Sequence, residues 1–272
     1  VVGYLAAVPE ILEVERYRAL AEKALHRPIA KVWMVDARYG RGGTTPSRLR
    51  TALTGRQFTE ARRRGKLMLL DTDEDGPTVG VRFGMTGGLV VDGQQALDRL
   101  RYGPGVFDEK WVRSRVDFID GGVLQLHDPR RFGSIELGPD EHRLGPDALT
   151  ATLSDVRTAL GTAARTGPVA PLKARLMDQE RLAGVGNLLA DEILWRAGLD
   201  PARRTPLNDV ELRTLHKALR STLRLLDRRG GSHMGDLMEE RQPGGHCPRD
   251  GTELLHAQVG GRTTYWCPQH QH

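Results

Sequence analysis

The sequence predicts an α+β protein of more than one domain: a β-rich first part, a helical second part and a turn-rich tail. Three observations carry this. The chain has 272 residues, more than one domain usually holds and enough for two ordinary cores. Short apolar or alternating runs broken by Gly, Asp and Pro fill it as far as "LGPDAL" at 144–149, after which apolar residues recur at helical spacing. Its two cysteines, Cys247 and Cys267, both lie in the last stretch.

The elements follow in order. Val14, Tyr17, Ala21, Ala24 and Leu25 sit at helical spacing and predict a helix over 13–25. "AKVWMV", "GKLMLLDTD", "PTVGVRFGMTGGLVV" and "SRVDFIDGGVLQLHD" predict strands, with "DGG" as a hairpin turn. In "PLKARLMDQERLAGVGNLLADEILWRAGLDP" (171–201), a short helix over 173–179 leads to a Gly-rich turn at 183–186, and Asn187 is the N-cap of a helix reaching Arg196. Two glycines flanking Val185 allow a close backbone approach, and the amides of a helix start attract an anion. That turn reads either as a phosphate clamp or as an ordinary helix hairpin. Leu212, Leu215, Leu219, Leu223 and Leu226 mark an amphipathic helix, with Asn208 and Glu211 in capping relation and Gly230-Gly231 as its stop. "VGGRTTYW" predicts a final β-hairpin.

Composition limits the function classes. Hydrophobic residues make up 39% and charged residues 28%, and no apolar run approaches the ~20 residues of a membrane span. "VVGYLAAV" is too short and lacks the basic flank of a targeting signal, so a soluble, cytoplasmic protein is expected. The net charge is +5 with a pI near 9.5. Arginines cluster in "RRRGK", "DPRRFG", "ARR" and "DRRGG", which reads either as a solvated basic face or as a surface for a polyanion. With only two cysteines, near His and Asp, a metal site is expected rather than a disulfide.

"LMDQERLAGVGNLLADEILWRA" resembles the helix-two-turns-helix element of the formamidopyrimidine-DNA glycosylase and endonuclease VIII (Fpg/Nei) family. "PEILEVE", "GRQFTEARRRGKLMLL", "FGMTGGL", "DPRRFG" and "VGGRTTYWCPQHQ" are similar to other blocks of that family, in family order, from Pro9 to Gln271. The resemblance implies a β-sandwich domain with flanking helices, then a helical domain with a zinc-finger-like β-hairpin. The expected boundaries are an N-terminal extension at 1–8, the sandwich at 9–145, the helical domain at 146–231, and a loop with the hairpin at 232–272.

The same resemblance implies roles. Pro9 matches the family's N-terminal proline, whose secondary amine attacks the sugar C1′ of a damaged nucleotide. An α-amine titrates near pH ~7.7–8.0, so a useful fraction is unprotonated at neutral pH. Glu10 matches the general acid/base and Lys66 the catalytic lysine. Read alone, Glu10 is a carboxylate complementing a helix dipole. Met85, Arg130 and Phe132 match side chains that fill the duplex when the damaged base is flipped out; as isolated residues, Met85 and Phe132 read as core. Asn187 and Arg262 match a phosphate-binding pair, and Lys173 is expected to contact DNA with them.

Three departures matter. Where the family usually has four cysteines, this chain has Cys247, Asp250, Cys267 and His270, with His246 as an alternative to Asp250. Thiolate, imidazole and carboxylate all suit Zn²⁺ at ~2.0–2.3 Å, so the hairpin is expected to hold zinc, the alternative being a hairpin without metal. The stretch 230–245 is shorter than in typical family members, so purine specificity does not carry over. Pro9 has residues before it. Initiation at Val8 with removal of that residue would expose its amine; a chain beginning at Val1 would leave it an amide. The expected function is a bifunctional DNA glycosylase and abasic-site lyase, a monomer acting on damaged double-stranded DNA in the cytoplasm at the nucleoid. The alternative is a catalytically silent binder of damaged or abasic DNA.

Overall fold

The computed structural model describes residues 9–73, 75–96, 108–161 and 169–272. The expected extension at 1–8 lies outside the described residues. The chain divides into two compact units, one of Pro9 with Glu13–Glu141, the other of Glu10–Leu12 with His142–His272.

The first unit is a two-sheet sandwich. Its strands are β1 (Ile29–Met34), β2 (Gly40–Arg41), β3 (Phe58–Arg64), β4 (Leu67–Thr72), β5 (Val79–Arg82), β6 (Gly88–Val91), β7 (Gln94–Gln95), β8 (Val112–Phe118), β9 (Val123–His127) and β10 (Ser134–Leu137). One sheet runs β1-β8-β9-β6-β7 and the other β2-β10-β5-β4-β3. All these pairings are antiparallel except that of β2 with β10. In β8 every second side chain is buried, the two-residue period of a strand with one face to a core and one to water. Val32, Val116, Phe118, Leu124 and Leu126 from one sheet share that core with Met68, Leu70, Val79, Val81 and Ile135 from the other. The "DGG" turn joins β8 to β9: Gly121 has φ +88°, and the Asp120 carboxylate accepts the Gly122 N–H at 2.9 Å.

Helix α1 (Ile11–Ala21) starts earlier and ends sooner than its spacing predicts. The Ile11 N–H donates to the Gly184 carbonyl, and Ile11 and Leu12 belong to the second unit's core, which recruits these residues. After Ala21 the chain tightens into a 3₁₀ turn, Glu22–Ala24, and Leu25 leaves in extended conformation. Helix α2 (Pro46–Leu53) is set locally: the Thr45 hydroxyl accepts the Arg48 N–H, and Pro46 fills a first-turn position that needs no donor.

The second unit contains α3 (Leu153–Leu160), α4 (Leu172–Met177), α5 (Asn187–Ala197), α6 (Asp209–Arg229) and the hairpin β11 (Leu255–Val259) with β12 (Arg262–Trp266). The five leucines of α6 that set its period are all buried, and Gly230 ends it in left-handed conformation. Helix α5 is buried from Leu188 to Trp195, Asp191 and Glu192 included. Buried carboxylates require partners. Asp191 meets the Lys173 ammonium at 2.6 Å and the Arg241 guanidinium at 2.7 Å. Glu192 accepts from Arg196 at 2.7 Å and from the amides of Asp236 and Leu237. These contacts fasten the stretch after α6 onto α5. A small separate core of Trp195, Leu237, Cys247, Leu254, Tyr265 and Cys267 underlies the hairpin.

Candidate functional site

In the first unit two loops are tied into one display. Phe83 is buried with its ring 4.4 Å from that of Tyr17, whose hydroxyl donates to the Gly87 carbonyl at 3.2 Å. The Gly87 N–H closes the turn onto Phe83 O at 2.8 Å, leaving Met85 half-buried at its tip. The second loop, "DPRRFG", hangs on the fully buried Asp128. Asp128 accepts the Thr86 hydroxyl at 2.7 Å and the Gly133 N–H at 2.7 Å, and the Arg130 N–H reaches the Thr86 hydroxyl at 3.3 Å. Gly84, at φ +60°, is required by this packing, because a Cβ there would lie 2.3 Å from the Phe132 carbonyl carbon. Phe132 is 56% exposed, and the Arg130 guanidinium stands 4.9 Å over its ring. The core reading of Phe132 is therefore corrected: this loop cannot turn inward, because its backbone is pinned to Asp128 and Thr86. Arg131, at φ +57°, points elsewhere and pairs with Asp36, holding that carboxyl below its ordinary range. Lys66 is half-buried in the two-residue turn between β3 and β4, where Arg64 and Leu67 are paired.

The other arginine clusters are not free charge. Arg62 is shared by Asp71 and Glu141, Arg63 pairs with Glu15, Arg203 with Glu211 and Arg229 with Asp236. Arg130 has no carboxylate partner among the described residues. The polyanion reading therefore narrows to particular arginines.

In the second unit the Gly-rich turn is held by an anion from within the chain. The Glu10 carboxylate, fully buried, accepts the amides of Gly186 at 2.6 Å, Leu188 at 2.8 Å and Leu189 at 3.4 Å. These are donors of the α5 start that have no partner within the helix, where a negative charge is most stabilised. The expected Asn187 N-cap is corrected: Gly186 occupies the cap position, Asn187 is the first helical residue, and no local side chain caps α5. The phosphate-clamp reading of the turn is corrected with it, since Glu10 already fills these amides. A Cβ on Gly186 would sit 2.3 Å from the Glu10 carboxyl carbon, and one on Gly184 2.3 Å from Ile11. Gln179 staples the turn, accepting the Gly184 N–H and donating to Val185 O. The Asn187 carboxamide oxygen is buried and has no hydrogen-bond partner among the described residues.

Lys173, expected to face DNA, is corrected as well. Its side chain is fully buried and its ammonium donates to the Thr264 hydroxyl at 2.7 Å and the Thr263 carbonyl at 3.2 Å, besides Asp191. Burial pushes its pKa down, while Asp191 and then Glu10 oppose this. It thus joins α4, α5 and β12. Arg262, the first residue of β12, is exposed at the hairpin tip.

Cys247, Asp250, Cys267 and His270 place one donor atom each within 4.8 Å of one another. Cys267 Sγ lies 3.4 Å from Asp250, Asp250 3.1 Å from His270 Nδ1, and His270 Nδ1 3.7 Å from Cys247 Sγ. A zinc tetrahedron with ordinary bond lengths has edges of ~3.3–3.8 Å, so the donor set fits. The Thr252 amide and hydroxyl hold the Asp250 carboxyl well below its usual range, ready as an anionic ligand. His270 Nε2 is 3.3 Å from the Trp195 carbonyl, which leaves Nδ1 facing the cluster when Nε2 carries the proton. His246 is not in the cluster; its N–H donates to Glu240.

Residues 8–135 match the formamidopyrimidine-DNA glycosylase N-terminal domain, and residues 144–235 match the formamidopyrimidine-DNA glycosylase H2TH domain. The chain belongs to the formamidopyrimidine-DNA glycosylase family. It is 31% identical to the formamidopyrimidine-DNA glycosylase of Methylococcus capsulatus, over 97% of this chain and 100% of the relative. To that of Deinococcus radiodurans it is 31% identical over 96% of each. Its fold is similar to that of Lactococcus lactis Fpg in complex with DNA containing an oxidised pyrimidine, with a TM-score of 0.78 at 25% identity, covering 97% of this chain and 99% of the other. The expected sandwich, helical domain and C-terminal hairpin are those of this family.

Sequence reasoning missed the residues that hold these loops: Asp128, Thr86 and Tyr17 in the first unit, and Trp195, Asp191 and Arg241 in the second. "DPRRFG" does contain Asp128, and a carboxylate opening a loop that ends in glycine was the available signal. Nothing local marks Trp195, whose partners lie 52 and 75 residues away.

Proposed function

We propose that this protein is a DNA repair glycosylase with abasic-site lyase activity, acting as a monomer on damaged duplex DNA. The observation that carries the reading is the family match along nearly the whole chain, joined to an exposed Phe132 under Arg130 on a rigid loop. A large apolar side chain held out in water is suited to enter a duplex and fill the space a flipped nucleotide leaves. Met85, on the adjoining tied turn, adds flexible apolar fill, and Arg130 can hydrogen-bond the unpaired base. Solved complexes of Lactococcus lactis Fpg with lesion-containing DNA support the partner.

In this reading Pro9, as a free N-terminal amine, attacks the sugar C1′. The N–C1′ bond forms, the glycosidic bond breaks with its electron pair leaving on the base, and the departing base takes a proton. Glu10 transfers the proton that opens the sugar ring, and Lys66 acts near the damaged nucleotide. Asn187 and Arg262 hold backbone phosphates. One zinc ion, held by Cys247, Asp250, Cys267 and His270, would cross-link the two arms that present the hairpin and Arg262. The protein would work in the cytoplasm, at the nucleoid.

A second reading follows from the chemistry of the same amine. With residue 8 attached, the Pro9 nitrogen is an amide without an available lone pair, and the protein binds damaged or abasic DNA without reacting. Borohydride reduction in the presence of abasic DNA separates the two. A chain beginning at Pro9 is expected to give a covalent complex, and one beginning at Val1 only reversible binding. Trapping of the longer chain through Val1 or Lys66 would displace Pro9 as the nucleophile; trapping of neither, with selective binding retained, would leave the silent binder.

A further inference from the structure

The two arms of the metal cluster share one spacing. Cys247-Pro-Arg-Asp250 and Cys267-Pro-Gln-His270 each place a second ligand three residues after a cysteine. Their sulfurs are nonetheless supported differently. Cys267 Sγ faces the other arm, 3.4 Å from the Asp250 carboxylate. Cys247 Sγ takes one N–H group from its own arm, that of Arg249 at 3.4 Å, and a second from outside it, the indole N–H of Trp195 at 3.3 Å.

We propose that Trp195 is a positioning residue of the metal centre, giving the Cys247 sulfur a second N–H donor from outside its own arm. The residue is built for this on two sides. Its ring is 4% exposed, packed in the small core with both cysteines and covered by the Arg249 guanidinium at 4.7 Å. Its own carbonyl accepts from His270 Nε2 at 3.3 Å, so one residue orients a thiolate through its side chain and an imidazole through its backbone. N–H groups aimed at a thiolate delocalise its charge and favour the metal-bound, deprotonated form, and such outer contacts fix ligand orientation. Because Trp195 lies on α5, the helix whose start binds Glu10, the same rigid element carries both features.

This rests on the cluster holding a metal, and the test reads that step separately. Full-length wild type and Trp195→Phe are loaded with Co²⁺ and titrated against a chromophoric chelator while the thiolate-to-cobalt charge-transfer band is recorded. Phenylalanine keeps the ring and the backbone carbonyl but removes the N–H. The variant is expected to bind Co²⁺ about ten- to a hundredfold more weakly, with the band moved to longer wavelength because the sulfur electrons are less stabilised. Equal affinity and an unchanged band would overturn the role of Trp195 while leaving the metal site standing. Wild type that takes up no Co²⁺ would overturn both. If the variant fails to fold, cadmium-loaded wild type decides by NMR: coupling between the metal and the assigned Trp195 indole proton is expected, and its absence overturns the proposal.

Discussion

Helices α5 and α6 face the same physical problem and solve it differently. Each begins with amides that lack partners and a dipole that attracts negative charge. At α6 the neighbours supply the answer: Asn208 Oδ1 accepts the Val210 and Glu211 amides at 2.9 and 3.0 Å, and Glu211 returns to the Asn208 N–H at 2.7 Å. At α5 a glycine stands at the cap, and the acceptor is a carboxylate 176 residues earlier in the sequence. A local cap fixes one helix end. The distant cap fixes a helix end and the course of Glu10–Leu12 with it, so the comparison predicts unequal consequences when each is removed.

The largest effect is expected for Glu10→Ala, which leaves three amides without their acceptor in a dry site and costs about 4 kcal/mol in urea unfolding. Glu10→Gln is expected to lose part of this, because its NH₂ group faces amide donors. Activity loss in that variant must therefore be read beside its stability. A Glu10→Ala protein as stable as wild type would break the comparison. Gly186→Ala tests the same site from the other side: a Cβ 2.3 Å from the Glu10 carboxyl carbon should displace it, costing about 3 kcal/mol. If Gly186→Ala were neutral, the close approach would not be needed. Asn208→Ala, at the local cap, is expected to cost about 1 kcal/mol with no effect on the Glu10 segment, measured by amide exchange at Val210 and at Gly186.

The smallest effect is electrostatic. Arg203 holds the Glu211 carboxyl below its ordinary value, with the Asn208 N–H adding to this. A carboxylate whose folded pKa is depressed contributes stability that is present above its unfolded pKa, near ~4.3, and is lost as pH falls through the folded pKa. Protection of the first α6 amides should therefore be flat from neutral pH down to about pH 5 and fall below it, by under about 1 kcal/mol for this partly exposed pair. Protection unchanged down to about pH 2 would remove Glu211 from the cap.

The legible part of the molecule had this local character. The α6 period, its capping box and glycine stop, the "DGG" hairpin and the β11–β12 hairpin all matched, because each is set by residues within a few positions of one another. The four candidate ligands were visible for the same reason, as two short arms of equal spacing. Lys173 and the cap position of α5 were misread, and the isolated reading of Phe132 as core failed, where contacts between distant residues decide. Lysine in "PLKARL" looks like surface charge until Asp191 and Thr264 enclose it, and phenylalanine in "DPRRFG" looks like core until Asp128 pins its loop outward.

The sequence alone determined the order of a β domain, a helical domain and a metal-type hairpin, and the residue types with which such a protein does its chemistry. Periodicity, capping residues and turn glycines act over short distances, where the chain's own connectivity brings the partners together. Only the tertiary structure decided which donors are already taken. Whether Glu10 caps α5, whether the clustered arginines pair with Asp71, Glu15 and Asp236, and whether Cys247 receives the N–H of Trp195 all depend on contacts between residues far apart in sequence. Burial makes those contacts obligatory, because a charge or an amide removed from water must find a partner wherever the fold provides one.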